Sequence, residues 1–125
     1  MEHLRDIVAE RETRIDRIVG KRRDRFYLLQ PEEIVFFSAE DGLVKAHSTK
    51  NSYTVDLPLT ELENNLSSRQ FFRANRAAVV NLNLIREIQP YFRSSYIVIM
   101  SDIANTQLQV SERQAKHLRV KVPGL

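Results

Sequence analysis

Apolar residues change their spacing along this chain. Leu4, Ile7, Val8, Ile15, Ile18 and Val19 recur near every third or fourth position, with Arg11 interrupting the stripe and charged residues almost everywhere between. That spacing predicts an amphipathic helix over residues 1–19 with a thin apolar seam: a helix packed on its own domain, a connector from a preceding module, or a short dimerising coil. Gly20 followed by Lys21-Arg22-Arg23 supplies its stop and divides the chain into residues 1–20 and a body of residues 21–125.

From residue 24 the apolar runs shorten to strand length. Strands are expected over Arg25 to Leu29, Ile34 to Ser38, Leu43 to Ser48 and Tyr53 to Val55, joined by turns at Pro31-Glu32-Glu33, Glu40-Asp41-Gly42 and Lys50-Asn51. Leu59, Leu62 and Leu66 return to helical spacing and predict one short helix. Phe71 and Phe72 are core anchors leading into a polar loop, and Ala77 to Asn81 is a short apolar run. Leu84 to Ile88, Tyr96 to Met100 and Gln107 to Val110 complete the strands, with Pro90 to Ser95 between the first two. Ser111-Glu112-Arg113-Gln114 fits a capping box, with Ser111 as N-cap, opening a helix to about Leu118. The class is mainly β, with two short helices in the body and one at the N-terminus.

Composition narrows the function. At 125 residues, 42% apolar and 28% charged, the chain has the makeup of one folded domain. It has no cysteine, which excludes disulfides, thiolate zinc sites and cysteine nucleophiles. The longest apolar run, Tyr96 to Met100, is too short for a membrane, and no apolar core follows Met1. A cytoplasmic protein without membrane association is expected. His3, His47 and His117 fall in separate elements without metal-ligand spacing, and no phosphate-cradling or nucleophile motif is present. Glu32-Glu33 and Glu40-Asp41 read as surface charges in turns. Neither catalysis nor a cofactor is expected.

Charge is unevenly placed. Residues 24–66 carry three basic and eight acidic side chains, a net of −5. Residues 69–93 carry five Arg against Glu87, and residues 111–125 carry Arg113, Lys116, Arg119 and Lys121 against Glu112. One phosphate-facing side would produce that asymmetry. Arg73 and Arg76 flank Asn75 in the loop after Phe72, and both are too basic to bury cheaply. Guanidinium and amide edges match guanine and adenine in the major groove, although Asn75 serves equally well as a turn former. Arg113 lies in the first turn of a helix, where the macrodipole disfavours a cation, so an external anion accounts for it better. Lys45 and Lys50 rank third, after that loop and Arg113, and Lys116 and Arg93 extend the basic set. RNA binding fits less well, since it asks for exposed aromatics on a sheet face and these aromatics read as buried.

Phe71-Phe72-Arg73-Ala74-Asn75-Arg76-Ala77-Ala78-Val79-Val80-Asn81-Leu82-Asn83-Leu84-Ile85 resembles the central signature of the LytTR DNA-binding domain. Glu33-Ile34 to Phe37 with Glu40-Asp41-Gly42 resembles that family's first strand and turn, Leu59 to Leu66 its helix, and Ile88 to Tyr96 its hairpin. Val110-Ser111-Glu112-Arg113 resembles its closing segment, so the resemblance covers about residues 21–120. It implies an elongated arrangement of about ten short strands in small stacked sheets, whose loops enter successive major grooves of double-stranded DNA. Base or phosphate contacts would fall on Lys45 or its neighbours, Asn75, Arg76 and Arg113. Asn75 stands where the family usually has His, and Ala77 where it has Ser, which bears on the preferred sequence.

The expectation is therefore a sequence-specific DNA-binding domain of a bacterial transcriptional regulator, acting on promoter repeats as a pair of protomers. Its relatives usually sit behind a receiver domain addressed by a sensor kinase. The competing expectation is a protein-interaction module that pairs through residues 1–20, with the β body as scaffold.

Overall fold

The computed structural model describes residues 15–125. Ten strands form two antiparallel sheets. The larger has seven strands in the order β2-β1-β5-β4-β3-β7-β6: β1 Ile18–Arg22, β2 Arg25–Leu29, β3 Phe36–Glu40, β4 Leu43–His47, β5 Ser52–Val55, β6 Phe71–Asn75 and β7 Ala78–Asn81. The smaller has the order β10-β9-β8: β8 Ile85–Tyr91, β9 Ser95–Met100 and β10 Gln107–Val110. Two helices complete the fold, α1 Leu59–Asn65 and α2 Glu112–Lys121. The mainly β expectation holds, with one sheet larger than the small stacked sheets foreseen.

The N-terminal helix needs correction. Residues 1–14, most of the expected helix, lie outside the described residues. Ile18 and Val19 belong to β1, and Gly20 is at the centre of that strand rather than at a helix stop. A Cβ added at Gly20 would stand 2.7 Å from Leu29 Cδ1 and 2.7 Å from Tyr53 Cβ. The glycine is there because two neighbouring strands crowd it.

Each face of the large sheet carries its own core. Phe37, Ala46, Val55, Phe71 and Val79 pack under Leu59, Leu62 and Leu66 of α1 on one face. On the other, Phe36, Phe72, Ala74, Ala78 and Val80 meet Val98 and Met100 of β9, Val110 of β10 and Leu118 of α2. Consecutive Phe36 and Phe37, like Phe71 and Phe72, supply one ring to each face because side chains alternate along a strand. Asn81 is fully buried between them: its Nδ2 donates to the Ile34 carbonyl at 2.8 Å and its Oδ1 accepts from the Asn83 N–H at 3.0 Å.

Neighbouring strands are all antiparallel, and this fixes which turns share an end of the large sheet. The β3–β4 turn at Asp41-Gly42 and the β6–β7 turn at Arg76-Ala77 lie at one end, where the Ala39 N–H donates to the Ala77 carbonyl at 2.9 Å. Both residues of the former have positive φ (52° and 78°), as a two-residue hairpin turn requires. The β4–β5 turn carrying Lys50 lies at the opposite end.

Candidate nucleic-acid interface

The segment after Phe72 is a strand and a tight turn, not a loop. Phe71 to Asn75 pair with β7 through a register shift between Arg73 and Asn75, so only Arg76 and Ala77 project as the turn. Asn75 fastens it. Its Oδ1 accepts from the Ala77 N–H at 2.7 Å, and its Nδ2 donates to the Gln109 carbonyl in β10 at 2.6 Å. The Ser111 N–H adds a bond to the Ala74 carbonyl at 3.0 Å. These contacts carry the segment that leads into α2 to the side of the β6–β7 strands.

Arg73 differs from the reading of it as a free cation. Its Nε donates to the Asn75 carbonyl at 2.7 Å, Nη2 to the Arg76 carbonyl at 2.8 Å and Nη1 to Glu63 of α1 at 2.8 Å. All three nitrogens hold protein, and only 18% of the side chain is exposed. The sequence hides this because Glu63 lies ten residues away, on another element. Asn75 is corrected in the same sense, since both ends of its amide are bonded within the protein.

Arg76 and Arg113 are exposed, and among the described residues neither guanidinium has an ion-pair partner. Ser111 caps α2 by accepting from the Gln114 N–H at 3.2 Å, which places Arg113 in the first turn. Lys116, one turn further, is exposed on the same side of the helix. Arg93 is exposed at the β8–β9 tip, where its φ is 56° and its guanidinium lies 5.4 Å from the Phe92 ring centroid. Lys45 is half-buried, two residues in from Leu43 at the start of β4 and opposite Ser38 and Thr54. Arg76 borders a pocket with Ala39, Gly42, Val44 and Leu59 on the α1 side of the sheet. Arg113 and Lys116 share one side of α2, and Lys50 lies at the opposite end of the large sheet.

A cleft of about 630 Å³ has Asn75 in its wall and Phe36, Ser38, His47, Asp102 and Leu108 around it. His47 stacks on Phe36 at 4.1 Å between centroids, and its Nε2 lies 2.8 Å from Ser38 Oγ. Burial lowers the His47 pKa below the ordinary imidazole value, aided by Lys45 and opposed by Glu40 and Asp102.

Not all aromatics are buried. Phe26, Tyr91 and Phe92 are 74%, 54% and 71% exposed, which corrects the expectation drawn against RNA. Their positions decide the matter differently: Phe26 is the only exposed aromatic on its sheet face among the described residues, beside Val19 and Leu28, and the other two cap a hairpin rather than forming a stacking platform.

The model of the LytTr DNA-binding domain matches residues 24–122. The chain belongs to this family. The chain is 32% identical over 116 residues to the sensory transduction protein LytT of Oceanobacillus iheyensis, covering 92% of this chain and 47% of that protein. It is 37% identical over 92 residues to LytT of Bacillus subtilis, covering 74% and 37%. With the transcriptional regulatory protein YpdB of Escherichia coli K12 it shares 30% identity over 108 residues, covering 86% and 44%. The chain therefore spans less than half the length of these relatives. A solved LytTr DNA-binding domain from Bacillus cereus superposes with a TM-score of 0.80 at 22% identity, covering 87% of this chain and 98% of that one, which shows the same fold.

Proposed function

We propose that this LytTr domain reads double-stranded DNA with the edge formed by the β6–β7 turn and the start of α2. Arg76 and Arg113 supply guanidinium groups to base edges, while Lys116, Arg93 and Lys45 contact phosphates. Arg73 and Asn75 hold the turn in shape from behind. The observation that supports this reading is the Asn75–Gln109 bond, which ties together the two segments, far apart in sequence, that lead to Arg76 and Arg113. A helix start also favours a phosphate next to the Ser111 cap.

The domain acts without catalysis or cofactor, as the output part of a cytoplasmic bacterial transcriptional regulator. The relatives, named for sensory transduction and transcriptional regulation, support that setting. Their greater length leaves room for a receiver domain addressed by a sensor kinase. On promoter repeats two protomers would sit side by side.

Selection of bound duplexes from a random pool tests the reading by yielding a motif. On the selected duplex, Arg76→Ala and Arg113→Ala should each cost about 1–3 kcal/mol, and loss of a phosphate contact should lower the salt slope by about 0.9. Equal binding of selected and scrambled duplexes by the wild type would overturn it.

A further inference from the structure

The β1–β2 hairpin exposes what the rest of the sheet covers. Val19, Phe26 and Leu28 are 50%, 74% and 58% exposed, and register places them together: Val19 lies opposite Leu28, and Lys21 opposite Phe26. Strand β2 is also the end of the seven-stranded sheet, with no neighbour on its outer side among the described residues. It carries no proline and no bulge, two of the devices that keep such edges from pairing.

Its free backbone groups can be assigned. Arg23 and Asp24 form a two-residue turn with φ of 52° and 63°, so Arg22 and Arg25 close the hairpin as a hydrogen-bonded pair. Alternation then directs the N–H and carbonyl of Arg25, Tyr27 and Leu29 towards β1, and those of Phe26 and Leu28 outward.

We propose that β2 is a homodimer seam, in which two copies pair antiparallel about Tyr27. Phe26 of each copy meets Leu28 of the other, using the four outward backbone groups of each strand in four hydrogen bonds. The exposed face then reads Val19, Leu28, the partner's Phe26, the partner's Lys21, and the same row reversed. Six apolar side chains close into one patch. Arg25 lies two residues from the centre, so the two copies of it stand roughly 13 Å apart, beyond the screening length of physiological salt. The centre of the seam is free of like-charge repulsion. A strand pair of this length buries less than a stable complex needs, so the association is reversible and concentration-dependent.

The inference is independent of the DNA reading. Sedimentation velocity of the full chain across a wide concentration range should show the mass rising towards twice that of the monomer, as amides of Phe26 and Leu28 become protected from hydrogen exchange. Leu28→Glu, which sets a carboxylate against the apolar seam, should abolish the rise. Leu28→Pro, which removes an outward N–H at an edge where proline is tolerated, should weaken it. Affinity for an isolated DNA site should be unchanged in both, and circular dichroism should confirm their fold. A monomer at every concentration overturns the proposal. So does a dimer that both variants leave intact, or protection of these amides that is already complete in the dilute monomer, since the chain's own residues would then occupy the edge.

Discussion

Arg73 and Asn75 hold each other across one intervening residue: the Arg73 Nε donates to the Asn75 carbonyl at 2.7 Å, and the same guanidinium reaches the next carbonyl, that of Arg76, at 2.8 Å. Its third nitrogen ends on Glu63 of α1, so that helix helps fix the shape of the turn. Arg73→Lys keeps the charge, but three donors on a single nitrogen cannot span the acceptors that Arg73 meets with three separate nitrogens. Chemical denaturation should report a loss of about 1–3 kcal/mol. DNA affinity should fall on every sequence alike, leaving the selected motif unaltered.

Asn75 makes a different prediction from Arg76, although the two are adjacent. Asn75→Ala removes the bond that shapes the turn and the one that binds it to β10. It should cost about 1–2 kcal/mol of stability and weaken DNA binding. Arg76→Ala should weaken binding with no measurable change in the denaturation midpoint. Equal stability losses from both would assign Arg76 a scaffold role instead.

Gly20→Ala tests the crowding at the centre of β1. The new methyl would need 2.7 Å contacts with Leu29 and with the rigid Cβ of Tyr53, so strand separation must increase. A destabilisation of about 1–3 kcal/mol is expected from overpacking, although alanine generally suits a strand better than glycine. A variant as stable as the wild type would show that the hairpin yields at no cost.

The His47 site confers a pH dependence. Its folded-state pKa is depressed, chiefly by burial, so the unfolded chain takes up the proton at higher pH than the folded one. Stability from the neutral ring is complete above the unfolded value of about 6.5, and is lost as pH falls from there through the folded value. His47→Gln should flatten this part of the stability-against-pH curve. Denaturation midpoints measured either side of pH 6.5 check it.

Much of the fold is legible in the sequence because its turns are written in local chemistry. Asp41-Gly42 marks the β3–β4 hairpin, the leucine spacing marks α1, and Ser111 with Gln114 marks the start of α2. The failures share a cause. Ile18 and Val19 continue a helical spacing set by earlier residues, and only the pairing with Leu29 and Leu28 makes them a strand. Strand β6 escapes notice because both faces are covered: Phe71 and Phe72 break the alternation that a one-sided strand would show. The site divides in the same way. Arg113 can be found from its unfavourable place in a helix, whereas the duties of Arg73 and Asn75 depend on Glu63 and Gln109, contacts that no local pattern encodes.

The position of β1 between β2 and β5 sets a minimum length for any excised version of this domain. The family match opens at residue 24, inside the turn that follows β1. A fragment trimmed to that limit would strand β2 without a companion, bare one flank of β5, and forfeit the Ile15 N–H bond to the Asn65 carbonyl at the end of α1. Whoever prepares this module alone must start no later than Ile15, or what is purified will be an opened sheet with sticky flanks.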